Sequence, residues 1–366
     1  MMLARHDVGE ALLGELRTQP FRCHTELWWH GLRVELVAPR PEPLDAVAAL
    51  AGPSPPADDG STVHVWCLPS LPSGASAAFD ALIPDSERIA VFGGADTARR
   101  RALGDVVLVE TERDGTRVIV HLGRREVVVC QPRPWVLEAD TVSVVRGQVL
   151  MPWCSATATI VHAGACVLDG RGVLVFGESG DGKTTTLLHL LVHRGAEFLS
   201  NDRVVVRAGP GGAVSHGLPY PLTVGRGTAE LFPELGPAPD TDVRAKIVVP
   251  LDQLSRLYGV RRSAPVGLVV RPLLDRRVGP PSVEPVSAAV VRDELTGNVA
   301  AFRQELAPGN WSGLFAGGPA SEREAKVIDA LSRCVPHHFF LRREHTRGQV
   351  AEALEVLARR VATSRV

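Results

Sequence analysis

Gly177-Glu178-Ser179-Gly180-Asp181-Gly182-Lys183-Thr184 satisfies the pattern G-x-x-x-x-G-K-[ST] at every position. Glycines let a backbone turn tightly enough for successive N–H groups to face phosphate oxygens. A helix starting at Lys183 adds its positive dipole end and its unpaired N–H donors. Lys183 is suited to the β- and γ-phosphates, and the Thr184 hydroxyl to a magnesium ion. The flanks are those the mechanism needs. Apolar Val173–Phe176 comes before the loop, and an amphipathic run to Arg194 follows it, closed by Gly195. The expectation is a phosphate cradle made of Gly177, Glu178, Ser179, Gly180, Asp181, Gly182, Lys183, Thr184 and Thr185, holding ATP or GTP.

Around the loop, Ala165–Leu168 reads as a strand, Asp169-Gly170-Arg171-Gly172 as a turn, and Glu197–Ser200 as the next strand, with Asn201-Asp202 at its end. Strand, glycine loop, helix, strand is half of an α/β nucleotide-binding fold. A magnesium–nucleotide site also calls for a carboxylate at a strand end. Asp202 fills that place. Asp275 ends an apolar stretch from Val266 that Arg271 and Pro272 interrupt, and reads as a surface loop residue. Thr184 and Asp202 are therefore the expected metal ligands.

His162, the strand Gly170-Arg171-Gly172-Val173-Leu174-Val175, the glycine loop, Arg194-Gly195 and Ser200-Asn201-Asp202-Arg203 together resemble the core of the HPr kinase/phosphorylase superfamily. In that family a histidine lies the same distance before the first loop glycine, the helix ends in Arg-Gly, and an Asp-Asp-Arg triplet follows. The resemblance implies an α/β kinase core related to phosphoenolpyruvate carboxykinase. It implies ATP and Mg2+ as cofactors and transfer of a phosphoryl group to a hydroxyl. By the same resemblance Lys183 binds phosphates, Thr184 the metal, His162 lines the catalytic centre, and Asn201 and Asp202 occupy the two acidic positions. Asn201 departs from the family, because an amide cannot accept the hydroxyl proton. Asp202 or His162 takes that role, or the chemistry differs. His162, set between Val161 and Ala163, also reads as a hydrogen-bonded core residue. The family's C-terminal substrate-handling motif is not found, so the acceptor is a peptide, protein or small metabolite of unspecified kind. The chain is similar in this to divergent kinase-like proteins of bacterial biosynthetic and peptide-modification gene clusters.

The N-terminal part, 1–150, reads as a strand-rich region carrying no chemistry. Its strands are Leu32–Ala38, Val63–Leu68, Val106–Thr111, Arg117–Leu122 and Glu126–Gln131, with a hairpin turn at Asp114-Gly115. Ala51–Gly60 reads as a loop, and Trp28-Trp29, ahead of the first strand, as core packing. Residues 151–366 read as the kinase-like domain, with further strands at Lys246–Val249 and Val266–Val270, helices at Glu322–Cys334 and Arg347–Val361, and loops at Gly209–Gly212 and Gly279–Ser282. Arg244 and Lys246 read as a solvated pair at a strand edge.

A formal net charge of −1 argues against a general nucleic-acid binder or a membrane-surface binder. The scattered cysteines, with no C-x-x-C pair, read as buried free thiols, and no signal peptide or membrane-spanning run is evident, so a cytoplasmic location is expected. Homo-oligomerisation is left open. No N-K-x-D guanine-reading segment and no L-S-G-G-Q segment occurs, which disfavours a GTPase and an ABC-type ATPase. The expected function is an ATP-dependent kinase. Its rival is a nucleotide-responsive ATP-binding module or ATPase that regulates or scaffolds a partner.

Overall fold

The computed structural model describes residues 7–17, 21–48, 61–91, 96–218, 221–236, 246–306, 310–315, 320–342 and 344–363. It is a mixed α/β protein with several sheets, dividing into two compact units. One is Met1–Thr157 with Glu305–Gly318, the other Ala158–Gln304 with Pro319–Val366. The boundary expected at 150 therefore lies later, and a C-terminal segment returns to the first unit. The cause is apolar packing. Trp311, Leu314 and Phe315 are buried there, with the Phe315 ring 5.3 Å from Trp153, and the Ser312 N–H donates to Gln148 Oε1 at 3.0 Å.

In the first unit the strands are β1 (Cys23–Trp29), β2 (Leu32–Ala38), β3 (Thr62–Leu68), β4 (Glu87–Val91), β5 (Asp96–Leu103), β6 (Val106–Thr111), β7 (Arg117–His121) and β8 (Glu126–Cys130). They form one sheet in the order β1-β2-β3-β8-β7-β6-β5-β4, parallel at β2/β3 and β3/β8 and antiparallel elsewhere. Trp28 and Trp29 lie within β1, not ahead of the first strand. Trp29 is buried and its indole N–H donates to Cys154 Sγ at 3.2 Å. The segment read as a loop at Ala51–Gly60 lies outside the described residues.

Helices α1 (Asp7–Arg17), α2 (Glu42–Ala48), α3 (Ser73–Leu82), α4 (Pro134–Val144) and α5 (Met151–Thr157) add to the strands of a region expected to be strand-rich. Leu12, Leu16, Phe79, Leu108, Ile119 and Val128 join α1 and α3 to one core with the sheet. In α4, Val136, Thr141, Val142 and Val144 are β-branched and favour strands locally, so burial of Leu137, Thr141 and Val144 overrides propensity.

The second unit begins with β9 (Thr159–Val161), β10 (Ala163–Leu168), β11 (Arg171–Phe176), α6 (Lys183–Arg194), β12 (Glu197–Ser200), β13 (Val204–Gly209) and β14 (Gly212–Gly217). Next come β15 (Leu222–Gly225), α7 (Arg226–Leu231), β16 (Lys246–Val249), α8 (Leu251–Tyr258) and β17 (Ser263–Leu274). It closes with β18 (Ser282–Pro285), α9 (Ala288–Leu306), α10 (Ala320–Ser332), β19 (Val335–Leu341) and α11 (Arg347–Thr363). The main sheet runs β12-β10-β11-β17-β14-β13-β9, with β19 pairing β17 and β18 pairing β19. Asp169 and Gly170 both have positive φ, 50° and 75°, which folds β10 back antiparallel on β11 through a two-residue turn. Arg171 and Gly172 thus belong to β11, and β10 stands between β11 and β12.

Val173 and Val175 face one core with Leu187, Leu190, Leu354 and Leu357, while Leu174 and Phe176 face the other with Val291, Leu295 and Val299. Helices cover both faces, which is why β11 is apolar throughout. β17 is parallel to β11 and does not stop at Arg271 and Pro272; it keeps pairing with β19 as far as Leu274. Asp275 follows it, exposed. Lys246 is exposed at the start of β16, and Arg244 lies outside the described residues.

The cysteines are all free thiols; Cys67, Cys130, Cys154 and Cys166 are buried, whereas Cys23 and Cys334 are partly exposed. Among the described residues no helix is long and apolar enough to cross a membrane.

The 19-residue α9 had no counterpart in the sequence reading. Gly297 lies in its interior, exposed, and a Cβ there would meet nothing within 4 Å. Gly297→Ala should therefore stabilise the protein by about 0.5–1 kcal/mol, because alanine loses less backbone entropy in a helix. An unchanged or lower urea midpoint at constant m-value would contradict this.

Candidate functional site

The glycine loop leaves β11 at Phe176 and enters α6 at Lys183, as the motif requires. Gly177, Gly180 and Gly182 have φ of 148°, 91° and 97°, and a Cβ on Gly177 would lie 2.9 Å from Asp181 Oδ2. Glycine at 177 is therefore demanded by the backbone and by space together. Asp181 braces the loop from inside. Its Oδ2 accepts from the Glu178 N–H at 2.8 Å and lies 3.6 Å from Arg271 Nη2, and its carbonyl accepts from the Leu274 N–H at 3.3 Å. Asp181 is buried, while Glu178, Ser179 and Gly180 form an exposed crown.

Lys183 is also buried, and its ammonium donates to the Gly177 carbonyl at 3.1 Å and the Glu178 carbonyl at 2.8 Å. The cation thus lies over the mouth of the loop. No side chain caps the α6 N-terminus, and the first backbone acceptor bond of the helix runs from Thr186 N–H to Gly182 O at 2.9 Å. The N–H groups of the first turn point out of the helix end, as in any α-helix. An uncapped N-terminus under an ammonium fits the phosphates of a nucleotide. Thr184 is half-buried beside it; the Thr185 hydroxyl bonds Thr228 on α7 at 2.8 Å.

At the end of β12 the chain makes a tight turn. Arg203 N–H donates to Asn201 O at 2.8 Å across Asp202, whose φ is +67°. This is the γ-turn with a positive central φ, a rare and strained form that aspartate tolerates better than most side chains. The Ser200 hydroxyl braces the turn, donating to Arg203 O at 2.5 Å and accepting from the Leu218 N–H at 3.2 Å. The turn separates the two side chains. Asn201 is buried with its amide 3.5 Å from Thr223 Oγ1, whereas Asp202 faces His162.

His162 Nε2 and Asp202 Oδ1 are 2.9 Å apart. The hydrogen bond to His162 holds the Asp202 carboxyl below its ordinary value against the opposing effect of burial, and the charges of His162, Arg203 and Lys183 act in the same direction as that bond. Asp202 is therefore a carboxylate, able only to accept, and the His162 Nε2 must carry the hydrogen. His162 is partly buried and forms with Asp202 a polar pair within electrostatic reach of Lys183.

Sequence reasoning missed what surrounds this pair. The Asn298 carboxamide accepts from the His162 N–H at 3.1 Å and donates to His162 O at 3.2 Å and Gly177 O at 3.3 Å. The Phe302 ring stacks on the His162 imidazole at 5.3 Å, and the Arg203 guanidinium lies 5.4 Å from the Phe302 centroid. Arg271 donates to Glu294 Oε1 at 2.6 Å, and the His338 ring bonds the same carboxylate at 3.1 Å. The one sequence signal was the helical spacing of Val291, Leu295, Val299 and Phe302, which marks a buried face and implies that Glu294 and Asn298 flank it. Among the described residues, no three His, Cys, Asp or Glu side chains gather as a metal cage. Magnesium bound to a nucleotide needs none, since it keeps phosphate and water ligands around one or two protein oxygens.

No family model and no curated protein matches this chain. Among solved structures it is similar to the HPr(Ser) kinase/phosphatase from Coxiella burnetii, with 18% identity over 35% of this chain and 77% of that one, at a TM-score of 0.22.

Proposed function

We propose that the second unit is an ATP- and magnesium-dependent phosphotransferase acting on a hydroxyl of a peptide, protein or small metabolite. The observation that supports this reading is the His162–Asp202 hydrogen bond, with Lys183 within electrostatic reach of the Asp202 carboxyl and joined to His162 through the Gly177 carbonyl and Asn298. Gly177 to Thr185 and the α6 N-terminus would hold the phosphates, with Thr184 and Asp202 offering oxygens to the metal. Bound ATP would supply the phosphoryl group, and magnesium on its phosphates would offset the charge that develops during transfer.

The chain's own residues do the rest by position and charge. Lys183 stays close to the loop by its bonds to two carbonyls and can exchange them for phosphate oxygens. His162, stacked on Phe302, orients the Asp202 carboxylate through one oxygen and leaves Oδ2 for the metal or the acceptor. This pair would take the proton of the acceptor hydroxyl, and ATP held by the loop would supply the phosphoryl group that the acceptor oxygen receives. Arg203 is held against Phe302 at the edge of the pair, where its positive charge adds to that of Lys183.

The test is incubation of the protein with γ-labelled ATP, magnesium and a host extract, reading phosphorylated species by mass spectrometry. Label on a discrete hydroxyl-bearing species, dependent on Asp202, is the expected result. Tight ATP binding with no labelled species and no acceptor-stimulated turnover would instead favour a nucleotide-responsive module.

A further inference from the structure

We infer that α9 sets the geometry of the candidate site, and that Asn298 is the positioning residue that registers the glycine loop against the His162–Asp202 pair. The inference rests on the proposed phosphotransfer only for its kinetic readout.

Glu294, Asn298 and Phe302 are successive i,i+4 neighbours and so share one face of α9. Each reaches a different part of the site. Through Arg271, Glu294 reaches Asp181, the internal brace of the loop. Asn298 reaches the first loop glycine and both backbone groups of His162. Phe302 reaches the His162 ring and Arg203. Behind this face, Val291, Leu295 and Val299 are buried in the core beneath β11, so the helix is fixed relative to the sheet.

The Asn298 contacts are specific in kind. His162 falls between β9, which ends at Val161, and β10, which begins at Ala163. At this break in the ladder the carboxamide supplies one acceptor and one donor, as a paired strand would. Its second donation goes to Gly177 O, the carbonyl that also accepts from Lys183 Nζ. One carbonyl thus joins the residue that aims His162 to the cation that would grip phosphate. A histidine ring held by stacking alone can slide in its plane. Bonds on both backbone groups fix the His162 Cα, so its ring, bonded to Asp202 and stacked on Phe302, turns from a set point.

The experiment uses the full chain with Asn298→Ala, Asn298→Asp and, separately, Phe302→Leu. Three quantities are measured: magnesium–ATP affinity by calorimetry, kcat for transfer or ATP turnover, and the proton NMR signals of the His162 imidazole, assigned from their loss in His162→Gln. In Asn298→Ala, nucleotide affinity should stay within about threefold while kcat falls about a hundredfold, the scale of an ångström-sized misplacement. The imidazole signals should move, because the ring leaves its place over Phe302. Asn298→Asp keeps an acceptor for the His162 N–H but sets a carboxylate against two carbonyls, and should behave like the alanine variant. If Asn298→Ala fails to fold, Phe302→Leu leaves the carboxamide bonds in place and should still move the imidazole signals and lower kcat. Unmoved signals with unchanged kcat in a folded Asn298→Ala would overturn the inference. So would a loss of nucleotide affinity as large as the loss of kcat. If the wild-type chain transfers nothing, the proposed function fails, while the imidazole signals still decide whether Asn298 positions the ring.

Discussion

Magnesium–ATP at about a hundred times its dissociation constant should stabilise the wild-type protein by roughly 2.7 kcal/mol, and Lys183→Ala should lose most of that gain. Lys183 is buried with its ammonium on the Gly177 and Glu178 carbonyls, at the uncapped start of α6. Substitution also frees those carbonyls, so the variant's own melting temperature should drop by the equivalent of about 1 kcal/mol. The informative quantity is therefore the ligand-induced shift of each protein, measured by scanning fluorimetry against its own baseline. A wild-type curve that no nucleotide moves would remove the phosphate cradle from the account. A full shift in Lys183→Ala would show that the loop binds without its lysine.

Asp202→Asn should depress transfer by about 10²–10⁴-fold, the range for a lost acid–base group. The substitution is clean for three reasons. Asparagine tolerates the left-handed φ of +67°, its carbonyl can still accept from His162 Nε2–H, and its size is unchanged; only the charge goes. How activity fails reports the role. Loss of a metal ligand should weaken magnesium dependence and nucleotide affinity together, whereas loss of a base should spare both. There is also a pH signature. The carboxyl of Asp202 is held below its ordinary value, chiefly by His162, so its contribution to stability is present at neutral pH. That contribution is lost as pH falls through the lowered folded value. Asp202→Asn should flatten this part of the acid limb. Asn201→Asp should restore nothing, because position 201 is buried against Thr223 and a carboxyl there takes up a proton. Full activity in Asp202→Asn would sink both the metal and the base assignments.

The site was legible in unequal parts. Residues 177–185 could be read at once as a glycine loop opening a helix, because its glycines, its lysine and its helix start are neighbours in the chain. Reading them also placed α6, β12 and the apolar part of β11, since an apolar run, a helix-ending glycine and a turn are local signals too. Asp181 and Thr185 sat in the expected set, but their side chains turned out to serve the loop and α7, which no spacing reveals. Asp202 was read as a carboxylate at a strand end and His162 by resemblance, and only coordinates show that they touch.

The sequence by itself determined the glycine loop, the helix it opens and the strand behind it, since short-range sterics and hydrogen bonding specify these. It also determined the Asp169-Gly170 turn residues, though not that the resulting hairpin would put β10 between β11 and β12. Tertiary structure decided α4, where burial overrides the strand preference of valine and threonine. It alone returned residues 305–318 to that unit, because Trp311 and Phe315 find their apolar partners there. It alone made α9 the support of the site. Asn298 is an unremarkable residue in a helix until folding brings the His162 backbone and the Gly177 carbonyl within hydrogen-bond reach. Contacts of that kind join residues more than a hundred positions apart, and nothing in local composition encodes which distant groups a carboxamide will meet.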